Sequence, residues 1–394
     1  AYVEPLETTI YEIECYNDQQ PTPGVDSETV IVDPARGVLD CMDDPEGGEC
    51  VPLSWGEAIE MRADRIALLG SYQDGLRIVD VSNPAVPSEI GSWDPVTCIN
   101  DTPFGDETVD FVIEEVALDA TDEDIVYVSA GPCGLFTVDL DFQGGVPNPV
   151  VLSIIDTDGW TEHVEMEGDT AYIADYNGGV LSFDMGDRSN PSPLGMVAYD
   201  DASFGAALEI DVEDDLAYVA SSRGLRVVDI SNPRDLRVVS SVDTDVDNGF
   251  VPQGIRIWNG FAFLSSWTGG LLVMDVRGAP VLLPDRRVET DYAFYKLAIQ
   301  ELEADVDGTP QALLYIAEGL SGIQVVDISR VDPNSRYVTL EQIDIGKFVW
   351  DIGLYENDES EIRPFVSFGE LTNYDGGLQM IIDRPTVPVP PRAP

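Results

Sequence analysis

Seven times along this chain a glycine opens an apolar, alternating run that ends on aspartate. The copies are GLRIVD (75–80), GLFTVD (134–139), GVLSFD (179–184), GLRVVD (224–229), GLLVMD (270–275), GIQVVD (322–327) and a degenerate GLQMIID (377–383), with the glycines 45 to 59 residues apart. A second apolar strand precedes each copy, as in TAYIADY (170–176), LAYVASS (216–222) and FAFLSSW (261–267), and a further alternating stretch precedes that. After the aspartate comes an Asn/Pro-rich turn and a fourth alternating strand, such as LRVVSSVDT from Leu236. Period-two patterning without any sustained helical stripe, repeated in units of this length, predicts an all-β propeller whose blades are four antiparallel strands.

Seven copies predict a seven-bladed β-propeller, with six or eight left open because the last copy is degenerate. The segment TTIYEIECY (8–16) has no blade of its own, and the seventh copy has no fourth strand after Asp383. The N-terminal strand is therefore expected to complete the last blade and remove a free sheet edge. Residues 1–383 read as one domain, with long loops at 17–54 and 94–110 on one face. The tail RPTVPVPPRAP (384–394) is too proline-rich for helix or central strand and reads as extended. Within the motif, glycine supplies backbone freedom at the second-to-third strand turn. The closing aspartate is expected to accept hydrogen bonds from the amides of the next turn.

GLRVVDISNP (224–233) and GLRIVDVSNP (75–84), each preceded by an AYVA-like strand, resemble the core motif of the LVIVD-repeat family of exported and cell-surface β-propellers. The resemblance runs from about Ala58 to Asp383. It implies a surface or extracellular propeller and supplies no catalytic residues to carry over.

Composition narrows the function classes. Seventy-four acidic residues against twenty basic ones give a formal charge of −54, and Lys296 and Lys347 are the only lysines. Such a field repels nucleic acid and anionic lipid. No apolar run is long enough to span a membrane as a helix. The chain begins at Ala1 rather than Met, which points to a processed N-terminus and export.

Five cysteines match no zinc spacing. In an oxidising compartment they read as structural disulfides with one cysteine left over. Propeller topology brings the loop before blade two and that blade's second-to-third turn to the same face, which predicts a Cys98–Cys133 bridge. Cys41–Cys50 is the expected second bridge, with Cys15–Cys41 as the alternative.

Strand register places Ala58, Glu115, His163, Glu209, Gly254, Lys296 and Asp351 at equivalent positions on the innermost strands, so they form a ring around the axis. The polar members, Glu115, His163, Glu209, Lys296 and Asp351, could line a ligand pocket with His163 as base. The plainer reading is that they solvate a water-filled channel. Acidic strings at Glu303, Asp305 and Asp307, and at Asp243, Asp245 and Asp247, resemble the start of a calcium loop but lack its closing glutamate. Calcium is the one cofactor worth considering. No GxSxG elbow is present. The expected function is a non-catalytic surface module that contacts a protein or glycan, within a larger assembly or alone. A channel-mouth enzyme around His163 and a calcium-stabilised structural subunit are the rivals.

Overall fold

The computed structural model describes residues 53–380, apart from 55, 72–73, 84–86, 96, 103–104, 143, 199–203, 245–249, 267–269, 279–280, 289–295, 303, 305–307, 330–337, 344–347, 357–361 and 370–374. Cys15, Cys41, Cys50, the 8–16 segment and the tail 384–394 lie outside them. So do all the proposed calcium positions except Asp243.

Six sheets are each built from four strands consecutive in sequence, with every neighbour antiparallel. Blade 1 spans Gly56 to Trp93, blade 2 Glu115 to Ile155, and blade 3 His163 to Val197. Blade 4 spans Ala207 to Asp243, blade 5 Pro252 to Val288, and blade 6 Leu297 to Ile343. A further sheet takes three consecutive strands, Phe348–Glu356, Ile362–Gly369 and Asp375–Met380, and a two-residue strand, Leu53–Ser54, at its outer edge. It sits between blade 6 and blade 1 and closes the ring.

The expectation of seven equivalent blades is corrected accordingly. The fold has six complete four-stranded blades and one composite sheet of different make. The described strand on the edge of that sheet is Leu53–Ser54, which pairs with Gly376 and Asp375; the 8–16 segment expected there lies outside the described residues. Leu53 lies directly before the first strand of blade 1, so it reaches this edge through a short chain loop.

The repeat motif does what its chemistry predicts in all six complete blades. The glycine opening each third strand has positive φ, from 74° at Gly75 to 137° at Gly224. At Gly134 and Gly224 a Cβ would also fall within 2.1 and 2.2 Å of a fourth-strand carbonyl, so a side chain is excluded twice over. The closing aspartates Asp80, Asp139, Asp184, Asp229, Asp275 and Asp327 each accept the amide two residues on, at 2.8–3.1 Å. Those bonds end the third strand in an Asx turn and send the chain back as the fourth strand.

Between neighbouring blades the alternating apolar residues interdigitate. Tyr172, Ala174 and Val180 of blade 3 pack on Ile210, Val219 and Val228 of blade 4. On the other face of blade 3, Val164, Ala171 and Ile173 pack on Tyr127 and Leu135 of blade 2. Both faces of a blade are thus buried, which explains why second strands such as Ile66–Ser71 and Phe261–Ser266 are buried throughout. Polar ties reinforce the seams at the rim. Arg188 of blade 3 pairs with Asp119 of blade 2, which also accepts the Tyr127 hydroxyl at 2.7 Å. Arg62 of blade 1 pairs with Asp124 of blade 2 at 2.9 Å.

Candidate functional site: the axial ring and the pinned hairpin

The innermost strands converge on the axis, and space there is set by what lies opposite. Five of the seven ring positions face a small residue on the second strand: Ala58 opposite Gly70, Glu115 opposite Ser129, His163 opposite Ala174, Glu209 opposite Ala220 and Asp351 opposite Ser367. A Cβ on Gly70 would meet Ile113 at 2.5 Å. The small partners leave the volume near the axis to the ring side chains.

The structure brings all five polar ring residues into one cluster. Lys296 Nζ of blade 6 lies 2.7 Å from Glu115 Oε2 of blade 2 and 3.3 Å from Glu209 Oε2 of blade 4. The ammonium therefore ties three blades that are not neighbours. His163 Nε2 stands 3.9 Å from Glu115 Oε2. The Asp351 carboxylate accepts the Ile59 amide at 3.0 Å and its neighbour Ile352's amide at 2.7 Å, joining the composite sheet to blade 1.

Four further charged residues, Glu60, Glu165, Asp211 and Arg256, sit two residues along their strands from Ala58, His163, Glu209 and Gly254. Sequence reading missed them, although period two along a strand was the signal that would have found them. Arg256 pairs with Glu209 and also donates to the Ile255 carbonyl at 2.7 Å. Asp211 accepts the Ile257 amide at 2.7 Å.

Burial decides the ionisation here, modified by which groups have a cation. Burial alone would raise Glu209, but Lys296 and Arg256 overcome it and hold the carboxyl at about 2. Burial, then Glu115 and Asp351, push Glu60 up to about 8. Burial, then Asp211, push Glu165 to about 8. Asp351 rises to about 7 through burial and Glu115. Burial lowers His163 to about 4 against the pull of Glu115 and Glu209, so the imidazole is neutral at pH 7. Burial opposes the charge on Lys296, yet Glu115 and Glu209 raise it above the usual lysine range.

This ring is poorly suited to chemistry on a substrate. His163 is 4% exposed and Glu209 fully buried, so no bound molecule reaches them without displacing the ion pairs. A base with a pKa near 4 is also weak at neutral pH. Among the described residues no group of three or more His, Cys, Asp or Glu could hold a metal ion. Asp243, the one described member of the calcium strings, is engaged by Arg226 at 2.7 Å and Arg223 at 3.3 Å.

The second feature is a hairpin between blades 1 and 2, Thr97–Thr102 paired with Gly105–Asp110. It belongs to no blade. A Cys98–Cys133 disulfide, with Cα atoms 5.8 Å apart, fixes it to the second-to-third turn of blade 2. At its root Phe111 packs edge-on against Trp93 of blade 1 at 5.4 Å and Phe136 of blade 2 at 5.1 Å. The bridge is the one that propeller topology predicts. On the same face Trp160 donates to Glu114 at 2.8 Å beside the axis.

Comparison with known proteins agrees with the repeat. The chain carries LVIVD repeats, matched at residues 62–95, 158–200 and 204–244. No curated protein matches it. Among solved structures, U3-55K is similar with a TM-score of 0.57 at 10% identity, covering 86% of this chain and 99% of that one. The computationally designed protein Ika8 is similar with a TM-score of 0.51 at 12% identity, covering 85% of this chain and 99% of that one. At such identities the likeness concerns the fold alone. Among the described residues no helix is long and apolar enough to cross a membrane.

Proposed function

We propose that this chain is an exported, non-catalytic propeller that contacts a protein or glycan through the face carrying the hairpin at 97–110. One contrast carries the reading. The axial polar residues spend their charge on one another, whereas the hairpin is an added element that no blade needs and that a disulfide and an aromatic root hold rigid. Insertions on a propeller face add contact side chains without disturbing the blades. The disulfide suits an oxidising compartment, and the LVIVD repeats agree with a surface role.

The test replaces residues 99–109 with a short Gly-Ser link, leaving Cys98 in place, and compares it with wild type and with His163→Ala. Each protein is applied to a glycan array and to cell-envelope fractions, with thermal melts run in parallel. Binding lost in the hairpin variant and kept in His163→Ala supports the proposal. Binding that survives hairpin replacement but disappears in His163→Ala moves the function to the axis and overturns it.

A further inference from the structure

The outer rim of the ring breaks the acidic pattern of the chain. The fourth strands of blades 2, 3 and 4 are Val150–Ile155, Ser192–Val197 and Arg237–Asp243, and each forms the outer edge of its sheet. Their sequences, VVLSII, SPLGMV and RVVSSVD, contain a single acid, in a chain where 74 of 394 residues are acidic. That acid, Asp243, is paired with Arg226 and Arg223.

Apolar side chains stand out from these strands where a sheet edge ordinarily carries charge. Val150, Val151 and Ile154 of blade 2, Met196 of blade 3, and Val238 and Val239 of blade 4 are 36–55% exposed. The connections between third and fourth strands join them into one belt. The Ser153 hydroxyl of blade 2 donates to the Arg188 carbonyl of blade 3 at 2.7 Å, and the Ser182 hydroxyl of blade 3 donates to the Pro233 carbonyl of blade 4 at 2.6 Å. Gly195 lies so close to the same Pro233 carbonyl that a Cβ would come within 2.6 Å of it. Blade 1 shows the contrast. Its fourth strand, Ser88–Trp93, carries Glu89 beside Arg77, and Pro147 packs over Gly91.

Six side chains so exposed present on the order of 500 Å² of apolar surface, the size at which a patch on a soluble protein marks an interaction site. A stable interface covers about 800 Å² on each partner, a little over half of it apolar. The belt meets that requirement, and charge then selects the occupant. With the connections at 187–191 and 231–236, the three strands hold three arginines (Arg188, Arg234, Arg237) and three aspartates (Asp187, Asp235, Asp243), which leaves no net charge. A cationic partner would be drawn to the acids on the rest of the surface and not to a neutral belt. Two copies of a chain at −54 repel each other wherever their acids meet, and the belt lets them approach without that cost.

We propose that this belt is a homodimer interface, in which the rim of blades 2 to 4 packs on the same rim of a second copy about a two-fold axis. Such a contact is isologous, so one apolar patch serves both copies. Salt strengthens it, because the repulsion between two acidic bodies is screened while the apolar contact is not.

Sedimentation velocity of the full chain over about 1 to 100 µM, in about 0.1 and 1 M sodium chloride, tests this. The wild type should pass with concentration from the mass of one chain to twice that mass, and should do so at lower concentration in the higher salt. Ile154→Glu/Val239→Glu places two acids in the belt at positions exposed in the single chain. Its melting temperature at low concentration should stay near that of the wild type, while association weakens by at least about a hundredfold. Leu302→Glu/Leu320→Glu adds the same charge at exposed apolar positions of blade 6 and should pair like the wild type. A further readout needs no variant: amide exchange of the wild type should slow at 150–155 and 237–243 as concentration rises. A wild type that keeps the mass of one chain throughout overturns the proposal. So does a dimer that survives Ile154→Glu/Val239→Glu, one lost equally in Leu302→Glu/Leu320→Glu, or slowing of exchange confined to other segments.

Discussion

Lys296 shows how much one residue decides in this molecule. Its side chain crosses from blade 6 to carboxylates of blades 2 and 4, and it supplies one of two cations to the axis. Removing it leaves Glu115 and Glu209 facing each other in a buried site, and breaking such a pair costs about 3–5 kcal/mol. Lys296→Met should lower the melting temperature by roughly 5–10 °C. Adding Glu115→Gln should recover part of the loss, because one of the stranded charges is then gone. A Lys296→Met melt that matches wild type would mean the ion pairs contribute nothing to ring closure. At this scale, counting along strands was enough to place Glu115, His163, Glu209, Lys296 and Asp351 around the axis. It could not say that Lys296 skips its neighbours to reach Glu115, since that depends on which blades face one another across the ring. Glu60 and Arg256 lie one layer further along the same period-two strands, two residues beyond Ala58 and Gly254.

At the scale of the element, the blade motif is legible because its constraints are local. A glycine with φ of 74–137° and an aspartate that accepts the second amide after it both act within one turn, so six copies can be read without knowing the fold. The composite sheet was not legible in the same way. Its outer strand is only two residues long, and it comes from the far end of the domain. The hairpin at 97–110 stands between these cases, since topology gave its disulfide but composition gave no sign of its strands. That bridge closes a loop with a sequence separation of 35, for which chain entropy predicts about 3–4 kcal/mol of stabilisation. Cys98→Ser/Cys133→Ser should melt several degrees below wild type, and dithiothreitol should lower the wild type by more than it lowers the variant, until the two reduced proteins melt together. If the variant melts with the wild type, the aromatic contacts of Phe111 with Trp93 and Phe136 suffice to hold the hairpin root.

For the whole molecule the dominant quantity is the charge of −54. Among the described residues acids stand exposed at the connections between strands, as at Asp122 and Glu123 or Glu213, Asp214 and Asp215, while the faces packed between blades are apolar. Seventy-four acids cannot find partners among twenty bases, so most exposed pairs of charges repel. Salt weakens attraction and repulsion alike, with a screening length of about 30 Å at 0.01 M that shrinks to about 3 Å at 1 M. Repulsive pairs are the more numerous on the surface, whereas the attractive pairs of the axis are buried and screened much less. Folding therefore gains on balance when salt is added. The melting temperature should climb steadily as sodium chloride rises from about 0.01 to 1 M. Lys296→Met should start lower but climb with the same slope, because the lost ion pair lies where salt does not reach. A melting temperature that falls with salt would show that surface ion pairs such as Arg77–Asp94, at 2.6 Å, outweigh the repulsion around them. A steeper climb in Lys296→Met would show instead that the axis is open to the ions of the solvent.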